Sequence, residues 1–107
     1  MSNDPRAEYD AFVSEITSMS PATRGMMFGM PCLKRSDGKI FACLWKDGGL
    51  TVKLVHEAAR TDALAIPGAG IGSHAFDPSR QMLQWVHVPA AQAGEWQRLV
   101  ELALSIR

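Results

Sequence analysis

Three groups of residues in this chain have types that could do chemistry. They are the glycine run Gly68-Ala69-Gly70-Ile71-Gly72, the cysteines Cys32 and Cys43, and the histidines His56, His74 and His87. A glycine run cradles phosphate when a strand leads into it and a helix leads out, because the helix N-terminus then faces the anion. Here the preceding segment reads as helix and the following one as strand. That reversed order makes Pro67 to Gly72 a loop leaving a helix rather than a phosphate cradle.

Cys32 and Cys43 lie on neighbouring strand-like runs, so a redox pair or half of a metal site comes to mind. Reactive thiols need exposure, a nearby cation or a helix N-terminus, and these two fall on an apolar face. They are expected as free, buried thiols that act as small hydrophobes. The histidines are scattered over three elements with no ligand-type spacing. No Gly-x-Ser-x-Gly elbow occurs, and the acidic residues fall mainly on helices and turns. No catalytic residue, metal ligand or cofactor is therefore expected. Lys53 reads equally as an anion or partner contact and as a solvated strand lysine. Met26, Met27, Met30 and Met82 read as fillers of core gaps.

The elements that must position these groups follow from periodicity. Pro5 suits a first helical position. Tyr9, Phe12, Val13, Ile16 and Met19 then form an apolar helical stripe, which Ser20-Pro21 ends. Gly25–Arg35, Lys39–Lys46 and Leu50–Val55 alternate as strands and form a meander, with Asp37-Gly38 and Gly48-Gly49 at its turns. A short Ala-rich helix over His56–Ala65 follows the meander. Beyond the glycine run come a short strand at His74–Phe76 and a longer one at Gln81–Val88. Trp96, Leu99, Val100, Ala103 and Ile106 mark a last helix. The resulting fold class is α+β, in the order α-β(3)-α-β(2)-α, as one domain over residues 1–107.

Read as two-residue loops, the turns set Cys32 opposite Cys43, Trp45 opposite Val52 and Cys43 opposite Leu54. Because side chains alternate, one face would carry Phe28, Met30, Cys32, Phe41, Cys43, Trp45, Leu50, Val52 and Leu54 under the helices. The other would carry Met27, Leu33, Ile40, Ala42, Leu44, Lys53 and Val55. An uncovered apolar face normally marks an interface. Leu33, Ile40, Ala42, Leu44 and Lys53 are thus the expected partner-binding residues, with a homodimer as the simplest occupant.

Composition narrows the function classes. Lysine plus arginine and aspartate plus glutamate both number 11 among 107 residues. A net charge of zero argues against direct nucleic-acid binding or a membrane-surface role, both of which call for a basic excess. The start has no basic segment leading into an apolar one, as a signal peptide would, and no apolar run approaches the roughly 20 residues of a membrane span. A cytoplasmic location with reduced thiols is expected.

Several short motifs occur in a telling order. Arg24-Gly25-Met26-Met27-Phe28-Gly29 is followed by Asp37-Gly38-Lys39-Ile40-Phe41-Ala42 and then by Leu50-Thr51-Val52-Lys53-Leu54, with Phe76-Asp77-Pro78 and Val88-Pro89 beyond. Over roughly residues 9–107 this pattern resembles the N-terminal domain of the TfoX/Sxy family. The resemblance implies the α-β(3)-α-β(2)-α architecture of secretion-chaperone-like folds. It also implies kinship with bacterial competence regulators, here as a stand-alone domain. The chain departs from the pattern at Met30-Pro31-Cys32, where many members have glycine-aromatic-glycine, and at Trp85, where many have tyrosine. The YjbR family shares part of the pattern and implies a nucleic-acid-associated protein instead.

The reading that follows is a non-enzymatic interaction or regulatory module acting through protein contacts. Its rival is a small-ligand binder or enzyme with a pocket between sheet and helices, the glycine run serving as lid.

Overall fold

The computed structural model describes residues 5–20, 22–27, 29–45, 48–74 and 77–105. It is an α+β fold of three α-helices and a six-stranded antiparallel sheet. Helix α1 spans Pro5–Met19, and strands β1 (Thr23–Met27), β2 (Met30–Lys34), β3 (Ile40–Leu44) and β4 (Leu50–Lys53) follow. Helix α2 is Glu57–Leu64, β5 is Gly70–His74 and β6 is Asp77–Val88. A 3-10 helix over Ala90–Glu95 then leads into α3, Trp96–Ser105. The strand order is β1-β2-β3-β4-β6-β5, so the edges are β1 and the glycine-bearing β5.

Tyr9, Val13 and Ile16 form the buried stripe of α1. The helix ends where the Ser20 hydroxyl donates to the Ile16 carbonyl (2.7 Å) and accepts from the Ala22 N–H (3.3 Å), supplying partners to orphaned backbone groups. The run expected as a first strand is a hairpin instead. Met27 pairs with Met30, and Gly29 takes the left-handed φ of 78° that lets the chain reverse. The sheet therefore has one strand more than the sequence suggested. Phe28 and Phe76 lie outside the described residues, as does Ile106 of the expected last helix.

The β2–β3 register is as expected near its middle, with Cys32 opposite Cys43. The turn is one residue longer than expected. Arg35 N–H donates to Lys39 O, Gly38 N–H donates to Arg35 O, and Asp37 Oδ1 accepts from Lys39 N–H. A bulge restores the pairing, since Leu33 faces Ala42 while Lys34 faces Ile40, leaving Phe41 as the extra residue.

The second turn corrects the expected faces. Trp45 N–H donates to Gly49 O (2.7 Å) and Gly48 N–H to Trp45 O (2.9 Å), with Gly48 at φ 90°. This closes a three-residue loop rather than the two-residue loop over Gly48-Gly49. Ala42 consequently faces Val52, Cys43 faces Thr51 and Leu44 faces Leu50. The shift from the expected pairing is an odd number of residues, and an odd shift exchanges the faces. Leu33, Ala42, Val52 and Val86 stand in one lateral row, joined across β2, β3, β4 and β6.

That row lies in the main core. Leu33, Ala42, Leu44, Leu50, Val52, Leu54, Val86 and Val88 pack with Tyr9, Val13 and Ile16 of α1, Ala59 and Ala63 of α2, and Trp96, Leu99, Val100 and Ala103 of α3. All three helices thus bury their apolar sides on this face. Tyr9 and Phe12 meet edge to face at 5.5 Å, and Phe12 meets Trp96 at 5.9 Å, which ties α1 to α3. Arg35 reaches under the layer, donating to Ala103 O (2.7 Å) with its guanidinium 5.2 Å from the Phe41 ring. No described helix is long and apolar enough to cross a membrane.

Two further boundaries differ from expectation. The segment Gly70-Ile71-Gly72 is not loop but the start of β5, because Ile71 pairs with Val86 and Gly70 with His87. Asp77-Pro78-Ser79 belongs to β6 rather than separating two strands. β5 and β6 keep pairing across two register shifts.

Candidate functional site

On the face away from the helices, Gly70, His87, Thr51, Cys43 and Cys32 form one lateral row. Their side chains alternate with the core row. Around its β5 end lies a cleft of about 270 Å³ lined by Trp45, Thr51, Gly68, Gly70, Ile71, Gly72 and His87.

Each wall has a local cause. Trp45 is half-buried at the mouth of the β3–β4 turn, where its own backbone closes the loop. The His87 ring rests on Gly49, since a Cβ there would lie 2.5 Å from Nε2 and 2.8 Å from the Val88 carbonyl. Gly72 admits Thr51 Cγ2 and Trp85 Cβ, which would stand 3.1 and 3.2 Å from a Cβ at that position. Thr51 is 3% exposed, and its hydroxyl has no hydrogen-bond partner among the described residues. His87 and Thr51 are opposed across β4 and β6, yet the imidazole makes no hydrogen bond to that hydroxyl. The pair is therefore not arranged as a base with an activated nucleophile. What the cleft offers is an indole, an imidazole and bare strand backbone.

The cysteines sit further along the same row, both fully buried. Cys32 Sγ donates to Met30 O at 3.3 Å. Its hydrogen bond with Cys32, then burial, pushes the Cys43 thiol well above the ordinary range. Both cysteines are free.

A second hollow of about 260 Å³ opens at the β1 edge beside α1, lined by Arg6, Tyr9, Arg24, Gly25, Met26, Pro31 and Cys32. Its two arginines do not stand as bare cations. Asp10 accepts from Arg24 Nη1 at 3.1 Å and from Arg6 Nε at 3.3 Å. The Arg24 hydrogen bond, helped by Arg6, holds the Asp10 carboxyl below its usual range.

The residues expected to bind a partner are separated. Leu33 and Ala42 are fully buried and Leu44 is 7% exposed, all in the chain's own core. Their expected role on an uncovered face is corrected, and with it the motive for a homodimer through them. Ile40 lies past the bulge opposite Lys34 and is half-buried. Lys53 stands on the helix-free side, paired with Trp85. His56 precedes α2 and is exposed, while the His74 side chain lies outside the described ones. Among the described residues no group of three histidine, cysteine or carboxylate side chains is placed to hold a metal ion.

The chain matches no family model, no curated protein and no solved structure.

Sequence reasoning passed over Trp45, Thr51 and His87 as a group. The glycine run was the available signal. Its alternation, glycine at 68, 70 and 72, is also the period of a strand showing one bare face.

Proposed function

We propose that this chain is a non-enzymatic interaction module, resembling a TfoX N-terminal domain, that meets a protein partner with the helix-free face of its sheet. The observation that supports this is the segregation of the layers. All three helices pack on the Leu33–Val86 face, and the other face presents Trp45, Lys53, Trp85 and His87, each half-buried. Tryptophan supplies large contact area with a polar handle and is enriched where binding energy concentrates. Lys53 lies beside Trp85 and adds a cation that selects the orientation of an acidic partner. The cleft at Gly70 lies on this helix-free side, while the hollow between β1 and α1 has its two arginines tied to Asp10.

The test compares captures from a native lysate by the parent chain, by Lys53→Glu, by Trp85→Ala and by the helix-side control Glu101→Lys. A protein retained by the parent and the control but lost with Lys53→Glu and Trp85→Ala supports the reading. Identical captures by all four chains would refute it.

A further inference from the structure

Gly70 has no conformational or steric reason of its own to be glycine. Gly29, Gly38, Gly48 and Gly68 have positive φ, and Gly70 does not. A Cβ at Gly49 or Gly72 would press on His87 or on Thr51 and Trp85, whereas a Cβ at Gly70 would meet nothing within 4 Å. Glycine within a strand costs conformational entropy and gives up a side chain that could pack. Such a glycine often marks a place where a ligand or another backbone approaches closely.

The missing side chain opens the floor of the cleft. Gly70 pairs with His87, which pairs with Thr51, and Trp45 shares the lining. At about 270 Å³ the space falls below the roughly 300–1,000 Å³ of pockets for drug-sized ligands. It suits a group of one or two fused rings. Among the described lining residues no lysine, arginine or carboxylate occurs, so nothing there selects a charged ligand. The Trp45 indole gives one flat face, and aromatic rings favour offset or edge-to-face packing on such a partner. The exposed lining of the cleft is more polar than apolar, so a ring with a hydrogen-bonding edge suits it better than a bare hydrocarbon.

We infer that the cleft over Gly70 seats one neutral, flat aromatic ring system with a hydrogen-bonding edge, held against Trp45 on the bare backbone of β5. This rests on the helix-free face being the working face. The same chemistry is presented by a tryptophan side chain of a protein partner and by a free nitrogen heterocycle.

The experiment is an amide-resolved NMR titration of the full chain. Its probes are indole, adenine and a blocked pentapeptide with one central tryptophan among glycines, each at up to about 10 mM because a single ring binds on the millimolar scale. Expected are shifts clustered at the amides of Gly68, Gly70 and Gly72 and at the Trp45 indole N–H. Gly70→Val should leave the rest of the spectrum in place and weaken binding about tenfold or more, as filling a ring-shaped space does. If that variant does not fold, Gly70→Ala makes the same test with one methyl group. Tighter binding of the peptide assigns the ring to a partner's side chain, and tighter binding of a free ring assigns it to a small molecule. Absence of shifts with all three probes, or binding unchanged by filling position 70, overturns the inference. A chain that holds a partner through Lys53 and Trp85 yet binds no ring loses this inference alone. Ring binding without any face-dependent partner removes the protein-partner reading alone.

Discussion

Ala42 stands directly opposite Val52 across β3 and β4. That single pairing sends Leu33 and Leu44 under the helices with them and leaves Lys53 on the other side. Substitutions on the two faces should therefore differ sharply. Leu33→Ala should cost about 2–5 kcal/mol, the range for deleting a buried leucine side chain. Leu44→Asp should prevent stable folding, because it buries an unpaired carboxylate. Lys53→Ala should stay within about 0.5 kcal/mol of the parent. Urea unfolding midpoints measure all three, and a folded, stable Leu44→Asp chain would contradict this arrangement of faces.

Glycines separate into those the backbone requires and those it does not. Gly38 has a φ of 85° and open space around its Cβ position, so Gly38→Ala should cost about 1–2 kcal/mol from conformation alone. Gly70 has equal space and no positive φ. Gly70→Ala should be neutral or stabilising by up to about 1 kcal/mol. Thermal unfolding of the two variants side by side checks the contrast, and a Gly70→Ala loss as large as that of Gly38→Ala would negate it.

The thiols of Cys32 and Cys43 should stay free and slow to react. Both are fully buried, which keeps a reagent from either sulfur. Their mutual hydrogen bond, then burial, disfavours the reactive thiolate on Cys43, while the same hydrogen bond lowers the pKa of Cys32. A colorimetric thiol reagent should count none rapidly in the native chain and two after denaturation without reductant. A denatured chain with no titratable thiol and a mass lower by two hydrogens would show a disulfide instead.

Tyr9 is the chain's one tyrosine, so its titration can be followed by absorbance without overlap from another phenol. Burial is the largest cause pushing its phenol up, and the cysteines add to it. A raised folded value means stability present below the ordinary tyrosine range and lost as pH climbs toward the folded value. Tyrosinate absorbance should appear only with alkaline unfolding, above about pH 10. Its appearance in a chain still folded by circular dichroism would place Tyr9 at the surface.

Asp10 runs the other way. Arg24 and Arg6 hold its carboxyl below the usual range, so the favourable interaction is present above the ordinary carboxylate pKa and is lost as pH falls through the folded value. The difference in melting temperature between the parent and Asp10→Asn should be constant above about pH 5 and shrink below about pH 4. The carboxylate is exposed, and the difference should be small throughout. A difference that grows on acidification would contradict the Arg24 tie.

Local signals carried much of this fold. The helical stripe Tyr9, Val13, Ile16 and the later stripe Trp96, Leu99, Val100, Ala103 were legible because a 3.6-residue period needs no partner to be read. The Cys32–Cys43 pairing was legible because the flanking turn was correct to within a single residue and a bulge absorbed the remainder. What one strand cannot state is which of its two faces goes inside when both are apolar, as in Ile40–Leu44. There the choice hung on whether the second loop holds two residues or three. That was decided by Gly48 taking the left-handed position and by the row Leu33, Ala42, Val52, Val86 meeting three helices at once. The cleft was decided in the same way. Glycine alternation is written in the chain, but Trp45, Thr51 and His87 come from three separate elements. Only the pairing of β4 with β6 and of β6 with β5 brings them to one place, because the hydrogen-bonded register of distant strands depends on the whole sheet rather than on any local run of residues.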